Sequence, residues 1–258
     1  MTGRTHAHRG TIHLENAEIV AHTEHPGEQY ILRVRAPECA RVATAGSFAH
    51  IRCDADIPMR RPISIMGADP QSGHVDFLYK IVGDGLRALS RQKTGDQLSI
   101  LGPIGNGFTL SHDKPRKLMI GGGVGVPPML FLAQQQAAQK DGALTDSLVL
   151  MGSEVPFPFA VQPSKLTAAG VAVDATHSLA ALEKLGVPSR LASLQDFSGV
   201  HKGYVTDLAR QWLTQLSDAE RAATEVFACG PEPMLEATAR LVAEFKLPCQ
   251  LCLEEYMA

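Results

Sequence analysis

In the first hundred or so residues, apolar and polar positions alternate over short stretches that turn-forming residues interrupt. Residues 29–34 alternate with the period of a half-buried strand, 47–53 are strand-like, and 75–82 are rich in β-branched and aromatic side chains. Residues 96–101 close this half, and Gly102-Pro103 followed by Gly105-Asn106-Gly107 makes a dense turn signal. One short helix is predicted, over 86–92. Short strands with such punctuation predict a small antiparallel β-barrel or sandwich.

The texture then changes. The polar stretch Ser111-His112-Asp113-Lys114-Pro115 reads as a linker, dividing the chain into residues 1–113 and 114–258. Beyond it come a short apolar run, Lys117-Leu118-Met119-Ile120, a glycine cluster, and a helical pattern over 128–140. Residues 147–151 form a second apolar run and 170–175 a third. The pattern predicts a helix over 204–216, a strand over 225–229, an amphipathic helix over 231–246 and a last strand over 249–253. Strands alternating with helices predict a parallel sheet covered on both faces. The expected fold is therefore two-domain, an N-terminal antiparallel β-barrel followed by a C-terminal α/β domain.

Composition narrows the picture. The 258 residues suffice for two small domains, and 45% hydrophobic and 20% charged residues are ordinary for a globular enzyme. A net charge of −3 gives no basic stripe for nucleic acid. No apolar run approaches the ~20 residues of a membrane span. The start of the chain lacks an apolar signal-peptide core, so a cytoplasmic location is expected. Cys39, Cys53, Cys229, Cys249 and Cys252 are too few and too irregular for a disulfide scaffold. His6 and His8 belong to a polar terminus, and no metal site is expected there.

The candidate chemistry lies at strand-to-helix junctions. Gly121-Gly122-Gly123-Val124-Gly125-Val126-Pro127-Pro128 is a glycine-rich turn followed by prolines at a helix start, where N–H groups and the helix dipole can hold a pyrophosphate. With Gly121 and Gly123 in register, Val126 stands where the G-x-G-x-x-G fingerprint needs its last glycine, which argues against an ordinary Rossmann dehydrogenase. A tight turn without a ligand is the alternative. Cys229-Gly230-Pro231 is a second such junction, predicted to face the same crevice, although Cys229 alone is as well read as a small buried hydrophobe. In the first half, Arg60-Arg61-Pro62-Ile63-Ser64 offers guanidinium groups to a pyrophosphate and a hydroxyl to a polar ring edge, or is an exposed arginine pair at a loop end. Gly83-Asp84-Gly85-Leu86 opens the short helix, as an anion site or a simple turn.

The order of Arg61-Pro62-Ile63-Ser64, Leu78-Tyr79-Lys80, Gly83-x-Gly85, Leu101-Gly102-Pro103-Ile104-Gly105-Asn106-Gly107-Phe108, the Gly121 to Pro128 loop, Cys229-Gly230-Pro231 and Leu253-Glu254-Glu255-x-Met257 resembles the ferredoxin reductase superfamily. Within it, the pattern is most like the electron-transfer subunits of dihydroorotate dehydrogenase, from about residue 12 to the end. The resemblance implies an FAD-binding barrel over 1–113 and an NAD-binding domain over 114–258. Arg61, Pro62, Ile63 and Ser64 would line the flavin ring and phosphates, Ser64 near N5 as the candidate catalytic residue. Leu78, Tyr79 and Lys80 would support the flavin, and Gly83, Gly85 and Leu86 would meet its pyrophosphate. Leu86 departs from the Thr or Ser usual in the family, so a hydroxyl contact is lost. Gly121, Gly122, Gly123, Val124, Gly125, Cys229, Gly230 and Pro231 would form the nicotinamide nucleotide site, with Glu254 either near the nicotinamide or a solvated charge at a strand end.

The family usually continues with closely spaced cysteines that hold a [2Fe–2S] cluster. This chain stops at Ala258, an end that reads as truncation before the cluster loop, a natural cluster-free reductase being the alternative. Cys249 and Cys252 are no substitute, since residues three apart on a strand face opposite ways. The expected activity is NADH oxidation through FAD, with electrons passed to an FMN-containing catalytic dihydroorotate dehydrogenase subunit in pyrimidine biosynthesis. The resemblance implies NADH over NADPH, and the absence of an arginine near Gly152-Ser153-Glu154 supports it. The rivals are a reductase for another acceptor (a hydrogenase, a sulfite reductase or an oxygenase), a non-catalytic flavin-binding subunit, and a flavin-free nicotinamide dehydrogenase.

Overall fold

The computed structural model describes residues 11–138, 144 and 146–253. His6, His8, Lys140 and Glu254 to Met257 lie outside them. Six antiparallel strands close a barrel: β1 (His13–His25), β2 (Gln29–Arg35), β3 (Phe48–Arg52), β4 (Arg61–Asp69), β5 (His74–Lys80) and β6 (Gln97–Ile104), in the order β1-β2-β5-β4-β3-β6. Closure leaves no edge to aggregate. Inward positions such as Ile19, Leu32, Ile51, Ile65, Phe77 and Ile100 fill its core. Two short helices lie among these strands, α1 (Pro37–Val42) and α2 (Gly83–Leu89). The N–H groups of Glu38 and Cys39, without intrahelical partners at the start of α1, donate to the Glu15 carboxylate at 3.0 and 2.8 Å.

The second half is built on β7 (Arg116–Gly122), α3 (Val126–Ala137), β8 (Leu148–Gly152), β11 (Ser189–Ser193), β12 (His201–Lys202), α5 (Val205–Gln215), β13 (Thr224–Gly230), α7 (Glu232–Glu244) and β14 (Cys249–Leu253). Its sheet runs β12-β11-β8-β7-β13-β14, every neighbour parallel. A small hairpin, β9 (Val161–Pro163) with β10 (His177–Leu179), and two short helices, α4 (Ala180–Lys184) and α6 (Asp218–Ala222), complete the described elements. The chain leaves β7 toward β8, β11 and β12, then returns to lay β13 and β14 on the other side. The order therefore reverses between β7 and β13, and open parallel sheets bind ligands at such a point, beyond the strands' carboxyl ends.

Two expectations need correction. Arg61 to Ser64 lie on β4, paired with β3 through Pro62↔His50 and Ser64↔Phe48, and Arg60 and Arg61 are half-buried rather than an exposed pair at a loop end. The apolar run 170–175 is a surface turn in which Val173 is 96% exposed. The strand it was expected to supply is β11, hidden in the sequence by its polar residues. Ser189, Arg190 and Ser193 are all buried there, and Arg190 donates to the Leu166 carbonyl and Ser164 hydroxyl at 2.7 and 3.1 Å. Burial of the Arg190 guanidinium is tolerated because these hydrogen bonds replace water.

The two halves share one core. It runs from the barrel interior through Met119, Met129, Phe131 and Phe227 on one face of the sheet. Helix α3 sits between sheet and barrel, which explains why residues 126–133 are buried on every side of it. Polar fasteners flank this core. Gln29 donates to the Pro156 carbonyl at 2.8 Å, the Ala45 N–H to Gln135 Oε1 at 3.0 Å, and the Thr109 N–H to Gln250 Oε1 at 3.0 Å. In the linker, the Ser111 N–H donates to Glu225 at 3.0 Å and its carbonyl accepts from Lys117 at 3.0 Å, while Lys117 and Glu225 form a buried ion pair.

Candidate functional site

A cleft of about 1600 Å³, mainly apolar, opens between barrel and sheet. Its barrel wall carries Arg61, Pro62, Ile63 and Ser64 from β4, Leu78, Tyr79 and Lys80 from β5, and Gly83 and Leu86 from α2. Its sheet wall carries Gly122, Gly123 and Val124 after β7, and Pro231 after β13. The residues singled out in the two halves thus face one groove. Five others do not line it: Gly85, Gly121, Gly125, Cys229 and Gly230 lie behind the surface.

The glycines of the loop after β7 have different reasons to be glycine. Gly123 has φ +54° and open space where a Cβ would stand, so its backbone is free to approach a ligand. Gly125 packs where a Cβ would lie 2.3 Å from the Cys229 carbonyl oxygen and 2.5 Å from the Gly230 nitrogen. It seats the first junction on the second, drawing the loops after β7 and β13 together at the reversal point. Helix α3 then begins at Val126, with prolines in its first turn.

On the barrel wall the two arginines part company. Arg60 donates to the Ser99 carbonyl and hydroxyl at 2.8 and 2.9 Å and to the His50 carbonyl at 3.2 Å, and so serves the strands. Arg61 reaches the cleft. Its Nη1 donates to the Met59 carbonyl at 3.1 Å, and its side chain lies against Gly85, where a Cβ would meet Nε at 2.7 Å. Among the described residues, none of the ion pairs uses Arg61. A cation so placed, beside the glycine turn that opens α2, suits an anionic group.

Tyr79 is anchored from behind. His22 Nδ1 donates to the Gln92 carbonyl at 2.9 Å, leaving Nε2 to accept from the Tyr79 hydroxyl at 2.8 Å. Burial pushes the Tyr79 hydroxyl well above the usual phenol range, keeping it a donor. Its ring stacks on Tyr30, centroids 5.4 Å apart.

Several lining residues escape a motif-based reading. Met59 and Val82 are exposed apolar side chains beside Arg61 and Gly83. Ser193 and Leu194 extend the cleft past β11, and Tyr204 and Thr206 past β12. Recognising Ser189–Ser193 as a strand would have found them, since ligands gather beyond strand ends. Glu154, after β8, is exposed on the wall, and Arg240 of α7 also reaches it. Among the described residues no three His, Cys, Asp or Glu side chains converge on a metal position. No described helix is long and apolar enough to cross a membrane.

No family model matches the chain. Solved structures share its fold. The NADH-dependent reduced ferredoxin-NADP oxidoreductase studied for flavin-based electron bifurcation superposes with a TM-score of 0.70 at 21% identity, over 95% of this chain and 78% of that one. The ferredoxin reductase of carbazole 1,9a-dioxygenase also gives 0.70, at 19% identity over 93% and 69%. Relatives in sequence are more specific. The dihydroorotate dehydrogenase B (NAD(+)) electron transfer subunit of Shouchella clausii is 32% identical over 227 residues, 86% of this chain and 76% of that protein. The subunit of the same name from Desulforamulus reducens is 30% identical over 88% and 78%. Likeness at that level, along most of both chains and over a barrel and sheet that meet in one groove, has one reading: this chain belongs to the dihydroorotate dehydrogenase B electron transfer subunits.

Proposed function

We propose that the chain takes reducing equivalents from NADH at the sheet wall and passes them, through FAD held on the barrel wall, to the FMN-containing catalytic subunit of dihydroorotate dehydrogenase. The observation that carries this reading is the single groove lined by Arg61 to Ser64 on one side and Gly122 to Val124 with Pro231 on the other. A cleft of this size and apolar character suits two large aromatic cofactors. Bound flavin supplies a hydride acceptor that can release electrons one at a time.

The chain's own residues bind and orient. Arg61, held against Gly85, is assigned to the flavin pyrophosphate, with Gly83 and Leu86 beside it. Pro62, Ile63 and Leu78 present an apolar wall to the ring, and Ser64 offers a hydroxyl to its N5 edge. Tyr79 and Lys80 complete this wall. The loop Gly121 to Gly125 is assigned to the nucleotide pyrophosphate, Gly123 making the close approach while Gly121 and Gly125 set its shape. Cys229, Gly230 and Pro231 bring the second junction to the nicotinamide. Positioning supplies much of the rate for such transfers. The exposed Glu154 carboxylate disfavours a 2′-phosphate, which supports NADH. Replacing Glu154 by Gln is therefore expected to raise kcat/KM for NADPH. A [2Fe–2S] cluster enters this reading only through cysteines beyond Ala258.

The acceptor is tested by reconstitution. Mixed with a catalytic dihydroorotate dehydrogenase subunit, the FAD-loaded protein should couple NADH oxidation to orotate reduction and, run in reverse, dihydroorotate oxidation to NAD⁺ reduction. NADH oxidation with artificial acceptors but none with that partner would assign the chain to another acceptor, and bound FAD inert to NADH would make it a non-catalytic subunit.

A further inference from the structure

Cys229 and Cys252 are register partners on the adjacent parallel strands β13 and β14. Partners in a parallel ladder project to the same face, and the packing agrees. Cys229 belongs to the core shared with the barrel and Cys252 packs on it, whereas Cys249 packs on the opposite face, against the core that holds Val226 and Ala228. Neighbouring strands lie about 4.8 Å apart, within the roughly 4.4–6.8 Å that Cα atoms span across a disulfide. Cys252 is half-buried and lines the cleft, while Cys229 is 2% exposed. One sulfur therefore meets small solutes first, and the other stands beside it in the protein.

We propose that Cys229 and Cys252 are an oxidisable pair on the sheet wall, joined as a disulfide by hydrogen peroxide, and that this bond slows nucleotide-dependent turnover. The Cys252 sulfur attacks peroxide. An S–O bond forms, the O–O bond breaks, and water leaves. The Cys229 sulfur then displaces the hydroxyl from Cys252, forming the S–S bond and releasing a second water. Two electrons pass from the sulfur pair to the peroxide, and the two thiol protons leave in the waters. Burial pushes the Cys249 thiol up to about 12, so it stays protonated and is a poor competitor.

The bond would reach the nucleotide site through the backbone. Gly125 seats on the Cys229 carbonyl with no room to spare, and Gly230-Pro231 follows Cys229 directly. Drawing Cys229 toward β14 displaces both junctions. The bond itself rests on strand register alone. Its effect on turnover rests on the reductase reading.

The full chain, reduced and desalted, is treated with peroxide and mapped by mass spectrometry without reduction. The expected product has lost two hydrogens and links the peptides that carry Cys229 and Cys252. NADH-driven dye reduction falls severalfold with the linkage and returns with dithiothreitol. Cys252→Ser forms no linkage and keeps its own untreated rate after peroxide. The proposal is overturned by linkage of Cys252 to Cys249, by oxidation of Cys252 without a crosslink, or by a Cys252→Ser protein as peroxide-sensitive as the parent. Mapping needs no bound cofactor, so its failure is distinct from failure of the reductase reading.

Discussion

The loop after β7 shows how neighbouring glycines carry different duties. A Cβ at Gly122 would meet the Met234 sulfur at 2.5 Å, and a thioether tip can swing away. At Gly125 it would meet the backbone of Cys229 and Gly230, which cannot move without shifting the end of β13. Gly122→Ala should therefore leave the melting temperature within a degree or two, whereas Gly125→Ala should cost about 1–3 kcal/mol or more by overpacking. Thermal melts of the two variants distinguish them, and equal losses would contradict this division of roles. The glycine cluster was legible in the sequence because few other segments combine such density with a strand before and prolines after. The duties were not legible, because the atoms that crowd Gly125 come from a strand over a hundred residues away.

Among elements, legibility followed the match between hydropathy and burial. Strand β3 alternates, β2 does so over its second half, and β5 is rich in β-branched and aromatic residues, so all three were visible. Strand β4 also alternates, with Ile63, Ile65 and Gly67 buried, but its opening Arg-Pro resembles a loop end. Strand β11 failed for the opposite reason: its polar residues are buried, and the Arg190 guanidinium is satisfied by Ser164 and Leu166, which no local window contains. The buried pair Lys117–Glu225 joins β7 to β13 and both to the linker, with side chains 6% and 4% exposed. Removing one partner strands the other's charge, so Glu225→Ala should cost about 3–5 kcal/mol, lowering the melting temperature by roughly 10 °C. The double variant Lys117→Met/Glu225→Leu should recover part of that loss. A single variant as stable as the parent would show that the pair does not hold this corner.

For the whole molecule, the decisive feature is that barrel and sheet share a core, so that the barrel wall and the sheet wall of the cleft face each other. The sequence shows two halves and a junction motif in each. It does not show that α3 fills the seam between them, because a helix buried on all sides has no amphipathic stripe to reveal its neighbours. The arrangement predicts direct transfer between ligands on opposite walls. The most direct measurement is the visible spectrum of the FAD-loaded chain during anaerobic titration with NADH. The account predicts that one equivalent of NADH bleaches the flavin band of one bound FAD, and that Arg61→Ala retains less FAD. A flavin that stays oxidised while NADH is bound to the same chain would contradict it.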